Sequence, residues 1–186
     1  MENLIFKEKM HEEGAIIRYY EKQVNQFSKT VIGKPEKWLI EAAAKIGLDF
    51  ASLSHEITNN FASHCHKQHG NTRIEKARGQ LPITPADIKL IPDIIKSPDC
   101  AIIGIKKYGQ IFNAYLKRET GGAIIYYEEV LNSKKNKSLR SKTMYKKMGA
   151  VSNETFLKIV SNNANTDISG AETVVGAGGN PGGEAE

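Results

Sequence analysis

The chain of 186 residues has only two cysteines, Cys65 and Cys100. Two are too few for a disulfide scaffold, and neither belongs to the paired CxxC that closes a zinc site. A reducing, cytoplasmic setting is the expectation. The start, Met1-Glu2-Asn3-Leu4-Ile5-Phe6-Lys7-Glu8, mixes acids with apolar residues, so it lacks the basic start, long apolar core and small-residue cleavage site of a secretory leader. Long hydrophobic runs are missing too. Ala101–Ile105 and Ala123–Tyr127 fall far short of the roughly 20 residues that span a bilayer, which predicts a soluble protein with no membrane partner. HExxH and internal repeats of about 20 to 50 residues are also absent. With 40% apolar and 25% charged residues, what remains fits one globular domain with appendages.

The elements that are present change character along the chain. Ile5, Phe6, Met10, Ile16, Ile17, Tyr20, Val24 and Phe27 recur with loose helical periodicity, which predicts a helical arm over residues 1–30, either packed on the domain or used for docking or dimerisation. Pro35 opens a helix that runs to Ile46 and stops at Gly47. Leu53, Ile57, Phe61 and Cys65 recur at intervals of four and predict a helix from Leu53 to His69, ended by a left-handed Gly70. Thr84-Pro85-Ala86-Asp87 is a helix start, Ile88, Ile91 and Ile95 are its buried stripe, and Pro92 kinks or splits it.

Beyond residue 99 the pattern becomes β-branched and aromatic. Runs at Cys100–Lys106, Gln110–Arg118, Ala123–Val130 and Ser138–Lys147, joined by short glycine-bearing turns, predict an antiparallel meander. Helices first and strands second give an α+β fold, N-terminal helices packed on a four-stranded antiparallel sheet. From residue 148 the expectation is a short helix around Glu154–Val160 and then a disordered, glycine-rich acidic tail.

Charge of one sign is missing from one stretch. Residues 134–147 hold Lys134, Lys135, Lys137, Arg140, Lys142, Lys146 and Lys147 and no acid, whereas residues 148–186 carry a balance of −4. The first 147 residues therefore carry +9 of the net +5. Lysines can merely protect an edge strand, but with Ser141, Thr143 and Tyr145 interleaved the run suits a polyanion better.

Three of the five histidines fall in His64-Cys65-His66-Lys67-Gln68-His69. On a helix His66 and His69 lie about 60° apart and His64 about 140° from His69, a poor zinc geometry, so decoration of a helix end and acid–base chemistry stay open beside metal binding. His69 is the best acid–base candidate, since it ends the helix beside the buried Cys65 stripe.

The succession His69-Gly70, then Arg78-Gly79-Gln80-Leu81-Pro82-Ile83-Thr84 with Asp87-Ile88 and Ile91-Pro92, then Lys142-Thr143-Met144-Tyr145-Lys146, resembles the phage-associated barnase/EndoU/colicin/RelE-like nucleases. These are small RNase domains of phage head-morphogenesis proteins and bacterial toxins. The resemblance covers residues 31–147 and implies endoribonuclease activity without metal or cofactor, by attack of the ribose 2′-OH on phosphorus to leave a 2′,3′-cyclic phosphate. It puts the family's helix-end histidine on His69, its arginine on Arg78, its mid-sheet lysine on Lys117 and its last-strand hydroxyls on Thr143 and Tyr145. Strand alternation supports Lys117, since Phe112, Ala114 and Leu116 make one apolar face and leave Asn113, Tyr115 and Lys117 on an open one.

Thr143 and Tyr145 share a parity with Ser141, but Leu139 and Met144 conflict, and a bulge would reconcile them. Arg140, Lys142, Lys146 and Lys147 would track the RNA backbone. The partners implied are RNA (tRNA or another structured RNA), an immunity or antitoxin protein, and a second copy through the N-terminal helices. Delivery into a target cell or packaging in a phage particle fits the family's settings. The competing reading is a non-catalytic nucleic-acid-binding or phage-structural protein with the same fold.

Overall fold

The computed structural model describes residues 29–163 and 165–176. Residues 1–28 of the expected helical arm lie outside the described residues, and so does the tail from residue 177. In chain order the elements are β1 (Lys29–Gly33), α1 (Lys37–Lys45), β2 (His55–Thr58), α2 (Asn59–His69), α3 (Thr72–Ala77), β3 (Gln80–Leu81), α4 (Pro85–Lys89), α5 (Ile91–Lys96), β4 (Cys100–Lys107), β5 (Gln110–Glu119), β6 (Gly122–Asn132), β7 (Lys137–Met148), α6 (Asn153–Ser161), β8 (Thr166–Asp167) and β9 (Glu172–Val175).

The long strands β4 to β7 form the expected antiparallel meander. Its first turn, Tyr108-Gly109, has φ of 50° and 75°, the left-handed pair that a two-residue hairpin turn needs. The sheet is larger than four strands, however. It has nine, in the order β1-β2-β7-β6-β5-β4-β8, with β3 also on β7 and β9 also on β4. Each addition is short, and short strands leave little periodicity to read.

Residues 55–58 are the main correction among the helices. They form a strand antiparallel to β1 and parallel to β7, with all four side chains buried. Leu53 and Ile57 are buried as expected, but Ile57 is buried in a strand. Thr58 ends that strand and caps α2, its hydroxyl accepting a bond from the Phe61 N–H at 3.2 Å. Gly70 ends α2 with φ −90°, not in the left-handed region. A Cβ there would lie 2.5 Å from the His66 carbonyl oxygen, so close approach accounts for the glycine. Thr84 and Asp87 form a full capping box, and the chain splits into α4 and α5 just before Pro92.

Both faces of the sheet are covered. On one, Leu39 and Ala43 of α1, Phe61 and Cys65 of α2, Ile88 of α4 and Ile91, Ile94 and Ile95 of α5 pack on Ala101, Ile103, Tyr115, Ile124, Tyr126, Leu139 and Met144. On the other, Phe156 and Val160 of α6 pack on Cys100, Ile102, Phe112, Ala114, Leu116 and Ile125. The face carrying Asn113 and Tyr115 is therefore not open: both residues are fully buried beneath the helices. Alternation showed that β5 has two kinds of face, but it carried no information about what lies on the polar one.

Residues 165–176 are not part of a disordered tail. β8 and β9 pair with the outer edge of β4, through Lys106, Lys107 and Cys100–Ile103, and so cover an edge that would otherwise be exposed. Among the described residues no helix is long and apolar enough to cross a membrane.

Candidate active site

β7 changes partners along one edge. β2 pairs with it at Leu139 and Arg140, and β3 pairs with it at Leu81↔Lys146 and Gln80↔Lys147. Among the described residues no strand lies beside the intervening positions on that side, and α2 packs against β7. The ladder with β6 slips by one residue in the same place, Glu128 facing Ser141 and Tyr127 facing Thr143, so Lys142 is the extra residue of a bulge. Leu139 and Ser141 thereby face the helices, as does Met144, while Thr143 and Tyr145 turn to the other face. The bulge resolves the parity conflict, and it separates Thr143 and Tyr145 from Ser141.

Two histidines of α2 reach this edge. The His64 Nε2 lies 3.3 Å from the Thr143 hydroxyl, and the His69 ring lies 6.0 Å from that of Tyr145. The two imidazoles are 5.8 Å apart, edge to face. Helical angle placed His64 away from His69, but two side chains that lean over one strand can meet across five positions. Burial lowers the pKa of His64 from its usual value, with repulsion from His69 and Lys142 adding to the effect. At neutral pH His64 is an uncharged imidazole.

Glu75 stands behind His69. Its carboxylate is fully buried and lies 3.2 Å from the His69 Nδ1 and 2.9 Å from the Arg78 guanidinium. Its place in the first turn of α3, a turn started by the Asn71 side chain accepting from the Arg73 and Ile74 N–H groups, sets it at the positive end of that helix. Arg78 also donates to the Gln68 carbonyl at 3.3 Å and so ties α3 to the end of α2. With Nδ1 on Glu75, the His69 Nε2 is the nitrogen left to exchange a proton.

Tyr145 stacks on Tyr127 at 6.3 Å, and burial raises the pKa of both phenols, so they remain neutral hydroxyls. Thr143 and Tyr145 also line a cleft of about 440 Å³ that runs across this face towards α6. Cys65 beneath is no nucleophile, because burial pushes its thiol up to about 12. Among the described residues no group of three or more His, Cys, Asp or Glu side chains is placed to hold a metal ion.

A family model described as phage-Barnase-EndoU-ColicinE5/D-RelE like nuclease matches residues 33–154. The chain belongs to this nuclease family. No curated protein and no solved structure gives a match.

The family's nuclease character gives the histidine edge its interest, and the residues expected to serve it divide into groups. His69, Thr143 and Tyr145 come together, and Arg78 joins them through Glu75. Lys117 is engaged elsewhere: its ammonium donates to the Ser97 carbonyl at 2.7 Å, at the end of α5.

The basic run divides as well. Lys146 lies 2.9 Å from Asp87 and 2.8 Å from Glu119 and is mostly buried. Burial works against its charge, but its bonds to Glu119 and Asp87 prevail and raise its pKa. Arg140 lies 3.8 Å from Glu56, and half-exposed Lys142 lies 3.5 Å from Glu129. Lys147 is half-buried, while Lys134, Lys135 and Lys137 are exposed around the β6–β7 turn. Lys146 is thus a structural cation, and the solvated positive charge is concentrated at the hairpin end. Sequence reasoning set His64 aside on its helical angle and passed over Glu75. Glu75 lies six residues after His69 and three before Arg78.

Proposed function

We propose that the protein is a metal-independent endoribonuclease that cuts RNA by attack of the 2′-OH on the adjacent phosphorus. The observation that carries this reading is the pair of imidazoles, 5.8 Å apart beside Thr143 and Tyr145, in a chain of a nuclease family. The chemistry needs one group to take a proton and another to give one. His64, uncharged at neutral pH, accepts the 2′-OH proton. The 2′-oxygen bonds to phosphorus, and the P–O5′ bond breaks as the 5′-oxygen takes a proton from the His69 Nε2. A 2′,3′-cyclic phosphate and a 5′-hydroxyl end remain. DNA lacks the nucleophile and is not cut.

Glu75 orients His69 and fixes its tautomer, as the buried carboxylate does behind a catalytic histidine elsewhere. Arg78, half exposed while it holds Glu75, brings positive charge towards the phosphorane oxygens, and Lys142 adds to it. Thr143 positions His64. Exposed Lys134, Lys135 and Lys137 hold the RNA backbone without choosing a sequence.

The test is cleavage of total RNA in EDTA by wild type, His69→Ala, His64→Ala and Thr143→Ala, with the product ends identified. Cyclic phosphate ends that vanish with either histidine are expected. Undiminished cutting by both histidine variants would overturn the site, and no cutting by wild type would favour a binding module. A substrate with one 2′-deoxyribose should be spared at that position.

A further inference from the structure

The cleft that begins at Thr143 and Tyr145 continues away from the histidines and is walled on its far side by residues outside the segment matched to the family. Val160, Asn163 and Thr166 line it, whereas the match ends at residue 154. Its base is aromatic, formed by Phe112, Tyr127 and Tyr145, and the cations Lys107 and Lys142 stand at its sides. A volume of about 440 Å³ is in the range of small-ligand sites.

One hydroxyl on this lining, Thr166 Oγ1, is buried without a hydrogen bond, while the Tyr127 phenol is bonded to Tyr145 and Asn163. A buried polar atom left unmatched is uncommon, and this one belongs to a residue of the cleft wall. The mouth is also braced. Tyr108 and Asn165 both have positive φ, 50° and 59°, and the Asn165 amide donates to the Tyr108 hydroxyl at 3.0 Å, tying the turn after α6 to the β4–β5 turn. The Lys107 ammonium lies 5.7 Å from the Tyr108 ring centroid.

We propose that this cleft binds the nucleobase of an RNA nucleotide next to the scissile phosphate, so that the C-terminal α6–β8 segment supplies base preference to the cleavage site. Three features favour a base over another occupant. The aromatic lining offers stacking that any base can use, the Asn163 amide and the Thr166 hydroxyl can read a base edge, and the flanking cations suit the attached phosphates. The cleft also shares Thr143 and Tyr145 with the histidine edge, so a base seated in it has its own phosphate near His64 and His69. The location beside a scissile phosphate rests on the ribonuclease reading; the nucleobase site itself does not.

The test is equilibrium titration of the full chain, followed by NMR amide shifts, with each of the four ribonucleoside 3′-monophosphates and with ribose 5-phosphate as the base-free control. Stacking predicts that at least one nucleotide binds about tenfold or more tightly than the control, with shifts at Val160, Asn163 and Thr166. Asn163→Trp, an exposed substitution that plugs the mouth, should abolish that advantage, and Thr166→Val should reduce it and alter the order among bases. Nucleotides that bind no better than ribose 5-phosphate overturn the proposal, and so does an advantage that survives both substitutions. Base-dependent binding by a chain that cuts no RNA would sink the nuclease reading and leave the pocket standing. Cleavage without base-dependent binding would do the reverse.

Discussion

Among the described residues there are two histidine–glutamate pairs, and they differ in what surrounds the far side of the ring. His55 Nδ1 lies 2.8 Å from Glu128, with both side chains buried in the sheet. Glu128 also accepts from the Tyr115 hydroxyl at 2.7 Å and the Tyr126 hydroxyl at 3.1 Å, and Tyr126 meets Ser141 at 2.6 Å. The His55 Nε2 has no partner and no access to water. His69 is held on Glu75 in the same manner, but its ring reaches the β7 edge beside His64 and Tyr145. The same pair of groups is thus used once as an internal brace and once with its ring at the β7 edge. Access to the second nitrogen, more than the carboxylate, is what the proposed acid–base role of His69 requires.

The comparison can be broken at either end. His69→Ala should lower RNA cleavage by about 10²- to 10⁴-fold with little change in thermal unfolding, because Glu75 keeps Arg78. His55→Ala should do the opposite, costing about 3–5 kcal/mol in urea unfolding while the correctly folded fraction still cuts. If His55→Ala abolishes cleavage without loss of stability, the roles assigned to the two pairs are reversed. The pH profile sharpens the same contrast. His64 must be neutral to act as base and its pKa is lowered, so the acid limb of kcat/KM should lie below about 6.5, and His64→Ala should remove that limb.

A third pair of sites separates structural from solvated lysines. Asp87 is opposed by burial, yet the bonds from Lys146 and Thr84 hold its pKa below the usual carboxylate range. A lowered carboxyl contributes stability that is present above about pH 4 and lost as pH falls through the folded value. Lys146→Met should therefore flatten the acid limb of the stability–pH curve and leave the salt dependence of RNA binding nearly unchanged. The smallest effect belongs to Lys134, Lys135 and Lys137. Each alanine substitution should reduce the slope of log affinity against log salt by about 0.7 on single-stranded RNA.

The legible part of the fold was the part with long elements and glycine turns. β4 to β7 announced themselves through β-branched runs closed by Tyr108-Gly109 and Gly121, and α4 through its capping box. β2 was read as helix because Ile57 fits an interval of four as well as it fits a buried strand. β8 and β9 were hidden in a segment whose glycines and polar residues outweighed Thr173-Val174-Val175. At the candidate site, the family resemblance singled out His69, Thr143 and Tyr145, which the fold brings together, and a conflict of parity pointed to the bulge at Lys142. His64 was missed because a helical wheel measures Cα directions and not where long side chains finish, and Glu75 because nothing in sequence marks a carboxylate that will be fully buried.

The bulge at Lys142 makes β7 unusually permissive to a change in length at one position. Elsewhere in the strand, loss of a residue throws everything beyond it half a period out of phase and inverts inside and outside. Lys142 is already the surplus residue of the ladder. A gene variant that drops its codon would restore regular pairing, with Ser141 still turned to the helices and Thr143 and Tyr145 still turned to the cleft, so a deletion at this codon should be survivable where one farther along the strand is not.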